Sequence, residues 1–127
     1  MERREEVKIK SGAEFDHLFP KAMLMTITKK KGATVSDTIR FIPQVVRETL
    51  FHTDKIAKQL KRSTVYETCK AIWYFVYDHI AYRKDEDGKE QIRSPARAWH
   101  DRKYGVDCDC YTVFISSILS NLKIRHI

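Results

Sequence analysis

The sequence predicts an α+β domain dominated by helices, with short strands near its two ends. Three observations predict it. Apolar residues recur at steps of three and four over 64–80 and again over 108–122. Two of the intervening segments open on helix-cap signatures, Thr64-Val65-Tyr66-Glu67 and Ser94-Pro95. Short apolar stretches at 23–28 and 123–127 read as strands. A length of 127 residues suits one domain.

Residues 1–33 read as an N-terminal arm with short extended segments. Phe15, Leu18 and Phe19 are expected to pack down, Met23 to Thr28 to form a strand, and Gly32 to end the arm. The helical part runs from 34 to 127. Val35, Ile39, Ile42, Val46 and Leu50 lie on one helical face. Pro43 interrupts that pattern, because it lacks an N–H and clashes with the preceding turn. The expectation is a short turn, then a helix over 43–52 with Pro43 in its first turn. In the helix over 64–80, Val65, Cys69, Ile72, Trp73, Val76 and Ile80 are the expected buried face, with Cys69 in the core and Trp73 as packing. Lys84 to Lys89 is a polar loop with a turn at Asp87-Gly88. Ser94 caps a short helix with Pro95 at its first position, carrying Ala96, Ala98 and Trp99 and stopping before Gly105. Asp107 caps the last helix, whose apolar face is Tyr111, Phe114, Ile115, Ile118, Leu119 and Leu122.

Composition excludes several classes. The chain is 43% hydrophobic, enough to bury a core. No apolar run approaches a membrane span, and the charged start, Met1 to Glu6, is not a signal peptide. Three cysteines without framework spacing point to a reducing, cytoplasmic setting. The net charge of +7 permits nucleic-acid binding, but the basic residues are not pooled beyond Lys29 to Lys31, which reads as a solvated loop. Nothing beyond net charge supports nucleic acid as a partner. No metal and no cofactor is expected: Cys108, Cys110 and a distant histidine lack the paired spacing of zinc modules.

The chemistry sits at Gly105 to Thr112. A thiolate at Cys108, in the first turn of a helix, faces unpaired amides and the positive end of the helix dipole. Both lower its pKa and make it a nucleophile. The same amides suit an oxyanion. Asp107 and Asp109 oppose ionisation, so activation calls for a cationic histidine nearby. Cys108 is expected to react faster with alkylating agents than Cys69 or Cys110, which read as core thiols. His100 is a weakly placed local base. His17, His52 and His79 read as surface or satisfied polar residues.

These residues resemble the transglutaminase-like superfamily, a branch of the papain-like cysteine hydrolases and transferases. The matching segments are Ile80-Ala81-Tyr82, Arg93-Ser94-Pro95, Asp107-Cys108-Asp109 with Tyr111, and Ile124-Arg125, together covering residues 64–127. The chain departs from the pattern at Cys110, Thr112 and Lys123, where an acidic residue, Ala and Gly are usual. The resemblance implies a papain-like fold with a central helix starting at Cys108. It implies a cysteine protease, amidase or acyl transferase acting on a protein or peptide amide through a Cys108 thioester. Trp99, Asp107, Asp109 and Tyr111 would line the cleft. The family's catalytic His and Asp lie on strands beyond the Cys helix, and His126 is not at that place. The expectation is therefore the N-terminal half of such a domain, truncated at its C-terminus, inactive as it stands and prone to self-association through an unfinished sheet. The alternative is a non-catalytic binding module that retains the fold.

Overall fold

A computed structural model describes residues 9–21, 26–28, 35–84 and 91–126. The elements are a 3-10 turn at Ala13–Leu18, strand β1 (Thr26–Thr28), helix α1 (Val35–Glu48), a 3-10 turn at Leu50–His52, and helices α2 (Asp54–Leu60) and α3 (Val65–His79). Strand β2 (Gln91–Arg93) and helices α4 (Pro95–His100) and α5 (Cys108–Asn121) complete them. The domain is α+β and mostly helical. Strands β1 and β2 pair antiparallel, with Ile27 opposite Ile92.

Helix α5 is the hub, in contact with α1, α2, α3, α4 and β2. Its Phe114 and Ile118 join Ile56, Ile72, Phe75, Trp99 and Val106 in the main core. Its Val113 faces a second cluster with Val45, Val46 and Ile92. Burying that much apolar surface on one helix is what centres it.

The caps form as their chemistry dictates. Thr64 accepts a hydrogen bond from the Glu67 amide, Ser94 from the Arg97 amide, and Asp107 from the Cys108 amide. Pro95 occupies the first turn of α4.

Three expectations are corrected. Helix α1 runs through Pro43 rather than beginning there, and residues 50–52 form a separate turn. Pro43 lies on the exposed side, where water can satisfy the carbonyl that its missing N–H leaves behind. Helix α3 buries Thr68, Ile72, Phe75, Val76 and His79, while Val65, Cys69 and Trp73 are exposed. Thr68 tolerates burial because its hydroxyl donates to the Thr64 carbonyl at 2.8 Å and accepts from the Arg62 amide at 2.9 Å. His52 and His79 are the satisfied polar residues expected, both buried with a ring nitrogen hydrogen-bonded. Finally, 123–126 is not a strand. Lys123 takes φ 58°, the Lys123 amide donates to the Ser120 carbonyl, and the Ile124 amide donates to the Leu119 carbonyl. That pair of bonds is a Schellman C-cap, with Lys123 at the left-handed position. The strand on which self-association through an unfinished sheet rested is therefore not formed there. The expected Met23–Met25 part of the first strand, the Lys29–Lys31 loop and the Asp87-Gly88 turn lie outside the described residues.

Lysine at a left-handed C-cap pays a steric cost that glycine does not. Lys123→Gly is expected to raise stability by about 1 kcal/mol, read from urea unfolding.

Candidate functional site

Three elements place Cys108. The chain at 81–83 pairs in parallel with Val106: the Val106 amide donates to the Ala81 carbonyl and the Arg83 amide donates to the Val106 carbonyl, each at 2.9 Å. Gly105 makes this approach possible. It holds φ 107°, and a Cβ there would lie 2.7 Å from the Arg83 Cβ. The Tyr111 hydroxyl, one turn into α5, donates to the Ile80 carbonyl at 2.8 Å and tethers the helix to the same segment. Half-burial pushes the Tyr111 phenol up to about 12, so the hydroxyl remains a donor across the working pH range. Its ring stacks on Tyr82.

At the tip, Cys108 is exposed and Cys110 fully buried. The Cys108 thiol lies 3.8 Å from Asp109 Oδ1. Its own amide donates to Asp107 Oδ1 at 2.6 Å. Partial desolvation, then the carboxylates of Asp107 and Asp109, push the thiol up to about 11, against a smaller opposing pull from the Asp109 amide. The helix terminus does not prevail over two adjacent anions. The raised thiol works against the reactivity expected from the dipole, and the first-turn amide offered to an oxyanion is taken by the cap.

Four of the five histidines make other contacts. His52 Nδ1 accepts from the Ala96 amide, and His79 Nδ1 bonds the Phe75 carbonyl. His100 pairs with Asp101, His126 meets Ser116, and His17 is exposed. Among the described residues no histidine is hydrogen-bonded to the Cys108 thiol. Asp107, Cys108 and Asp109 bring their ligand atoms within 4.8 Å of one another. That closeness follows from adjacency in the chain.

Of the residues expected to line a cleft, Asp107 and Asp109 flank Cys108, while Tyr111 lies one turn on and turns its hydroxyl to the Ile80 carbonyl. Trp99 sits in the aromatic core at 3% exposure, stacked between Phe19 and Phe75. Cys110 is a core thiol, as read from the sequence; its sulfur accepts from the Arg93 amide at 3.4 Å. Sequence reasoning missed the cluster beside it. Asp101 Oδ2 receives Arg93 Nε and Arg97 Nε, each at 2.9 Å, and His100 Nδ1 lies 3.0 Å from Oδ1. The i,i+4 spacing of Arg97 and Asp101 was a usable signal; the Arg93 contact was not.

His52, read from the sequence as a surface or satisfied polar residue, is the latter. Burial holds its pKa below the ordinary 6.5, and the neutral ring accepts the Ala96 amide that opens α4. The unfolded chain therefore binds this proton more readily. The stability term is fully present above the unfolded pKa and is lost as pH falls through the folded one. Unfolding midpoints are expected to drop from about pH 7 to about pH 5, and to drop less in His52→Asn.

Comparisons of the chain with known protein families, with curated proteins and with solved structures find no match. Among the described residues no helix is long and apolar enough to cross a membrane.

Proposed function

We propose that Cys108 is the nucleophile of a transglutaminase-like acyl-transfer site held in an unactivated state. The observation that carries this reading is the exposed thiol at the first position of the central, buried helix. A backbone pairing at 81–83 and the Tyr111 tether fix that position. Rigid placement of one exposed thiol at a helix tip is what covalent catalysis on an amide requires.

The resting chemistry follows from Asp107. Its carboxylate caps Cys108 and, after partial desolvation and together with Asp109, raises the thiol. Attack on a peptide or protein amide needs a cationic imidazole against Cys108, brought by another segment or chain. That imidazole offsets the two carboxylates and later protonates the leaving amine. Asp107 must also release the Cys108 amide before it can serve an oxyanion. Water or an amine would then resolve the thioester.

Added imidazole tests this. With p-nitrophenyl acetate as acyl donor, acetyl-Cys108 is expected to form slowly, as read by peptide mass mapping. About 100 mM imidazole is expected to raise its rate on the order of tenfold more than at exposed Cys69. Equal acceleration at both thiols would remove the support for a placed nucleophile. The raised thiol favours a second reading, a binding module that keeps the geometry without chemistry. On that reading Cys108→Ser leaves partner binding unchanged.

A further inference from the structure

Helix α3 turns a row of aromatic side chains away from the core. Tyr66 is 72% exposed, Trp73 55% and Tyr77 52%, with Tyr74 exposed beside them. Lys70, also exposed, completes the row. Trp73 stacks on Tyr77 with ring centroids 5.0 Å apart and planes 9° from parallel, and Tyr74 meets Trp73 edge-on. A monomer seldom leaves so many aromatic rings contiguous in water.

The spacing of this row selects its occupant. Positions 66, 70, 73 and 77 step by four, three and four, which is the a/d seam of a helix pair. We propose that α3 is a self-association surface on which two copies of this chain pair antiparallel through Tyr66, Lys70, Trp73 and Tyr77. A two-fold axis through the middle of the row sets Tyr66 opposite the second copy's Tyr77. It sets Lys70 opposite the second copy's Trp73. The row is thereby complementary to itself, as a two-fold interface demands. Each Lys70 ammonium meets an indole face, and the helix dipoles oppose. A parallel pair would instead set Lys70 against Lys70.

The area is adequate. Four aromatic rings that bury ~150–250 Å² each when fully covered are here half to three-quarters exposed, so pairing removes on the order of 1,000 Å² in total. That is the lower limit of a specific interface. A nucleic-acid strand fits the row less well. Among the described residues Lys70 is its single cation, with Glu67 alongside and Asp78 at its end paired to Lys10, whereas phosphates call for a line of cations.

Sedimentation equilibrium of the full chain is the test. The expected result is a reversible monomer–dimer equilibrium in the micromolar range. Trp73→Ser is expected to weaken it about tenfold or more, with the far-ultraviolet circular dichroism unchanged. Lys70→Ala is expected to weaken it about threefold by removing the contact with the second copy's indole. A monomer at every concentration overturns the proposal, whether or not an oligothymidylate probe binds the row. A dimer indifferent to Trp73→Ser, or one that Lys70→Ala strengthens, overturns it as well, since the latter marks parallel pairing.

Discussion

Trp99→Ala is expected to cost about 3–5 kcal/mol, one of the two largest single effects in the domain. The ring joins parts of the chain that are distant in sequence. Phe19 stacks on it with centroids 4.6 Å apart, and Phe75 of α3 at 5.3 Å. Its Nε1 donates to Asp16 Oδ1 at 2.9 Å, and the Arg102 guanidinium lies 4.3 Å above it. Gly12 packs so closely that a Cβ there would lie 2.9 Å from Trp99 Cη2. Removing the indole opens a cavity that aromatic neighbours cannot fill by small shifts, and it unties the turn at 13–18 from α4. Urea unfolding measures the loss. A cost under about 1.5 kcal/mol would show that the site collapses freely and that the aromatic stack does not join these segments.

Asp101→Ala is expected to destabilise by a similar amount, about 3–5 kcal/mol, for an electrostatic reason. Arg93 is 10% exposed and Asp101 13% at the side chain. Burial alone would raise the Asp101 carboxyl, but hydrogen bonds from His100, Arg97 and Arg93 outweigh it and hold it below its ordinary value. Truncation removes the Asp101 carboxylate from the desolvated Arg93 guanidinium, which also lies 3.8 Å from the buried Cys110 sulfur. Asp101→Asn keeps the shape and loses the charge, so it is expected to fall between the wild type and the alanine variant. Because the folded carboxyl is the stronger acid, its contribution is present above the unfolded pKa and lost as pH falls through the folded one. An alanine variant as stable as wild type at neutral pH would show that Arg93 finds water or another acceptor.

The parts legible in the sequence were those with local causes. Thr64, Ser94 with Pro95, and Asp107 each declare a helix start through bonds made within three residues. Cys108 stood out for the same reason, since a thiol next to a cap is visible without a fold. The side of a helix is harder to read. Helix α3 has large apolar or aromatic residues at 65, 66, 72–77 and 80, so periodicity marks a helix without choosing its buried face. Thr68 and His79 are inside because Arg62, Thr64 and Phe75 satisfy them, and no apolar count reveals that. Pro43 and Lys123 break local rules, and the exposed side of α1 and a Schellman cap accommodate them. The Arg93–Asp101 and His52–Ala96 contacts join separate elements, so they emerge only from the packed chain.

The site divides along the same line. The Cys108 position is local; its ionisation depends on what faces it. Asp107 serves the fold as a cap and works against the thiolate as a charge, and Asp109 adds to the second effect. On the reading proposed above, the thiol is placed for attack and withheld from it until a cation arrives.

The pH dependence of Cys108 alkylation in the folded chain tests this most directly. With iodoacetamide and peptide mapping, the rate at Cys108 is expected to climb about tenfold per pH unit toward a midpoint of about 11. At pH 8 it is expected to run on the order of a hundredfold below a free thiol, and Asp109→Asn is expected to move the midpoint down. A Cys108 midpoint at or below the ordinary thiol value of about 8.5 would contradict the account. It would show that the thiol is already activated by the residues around it.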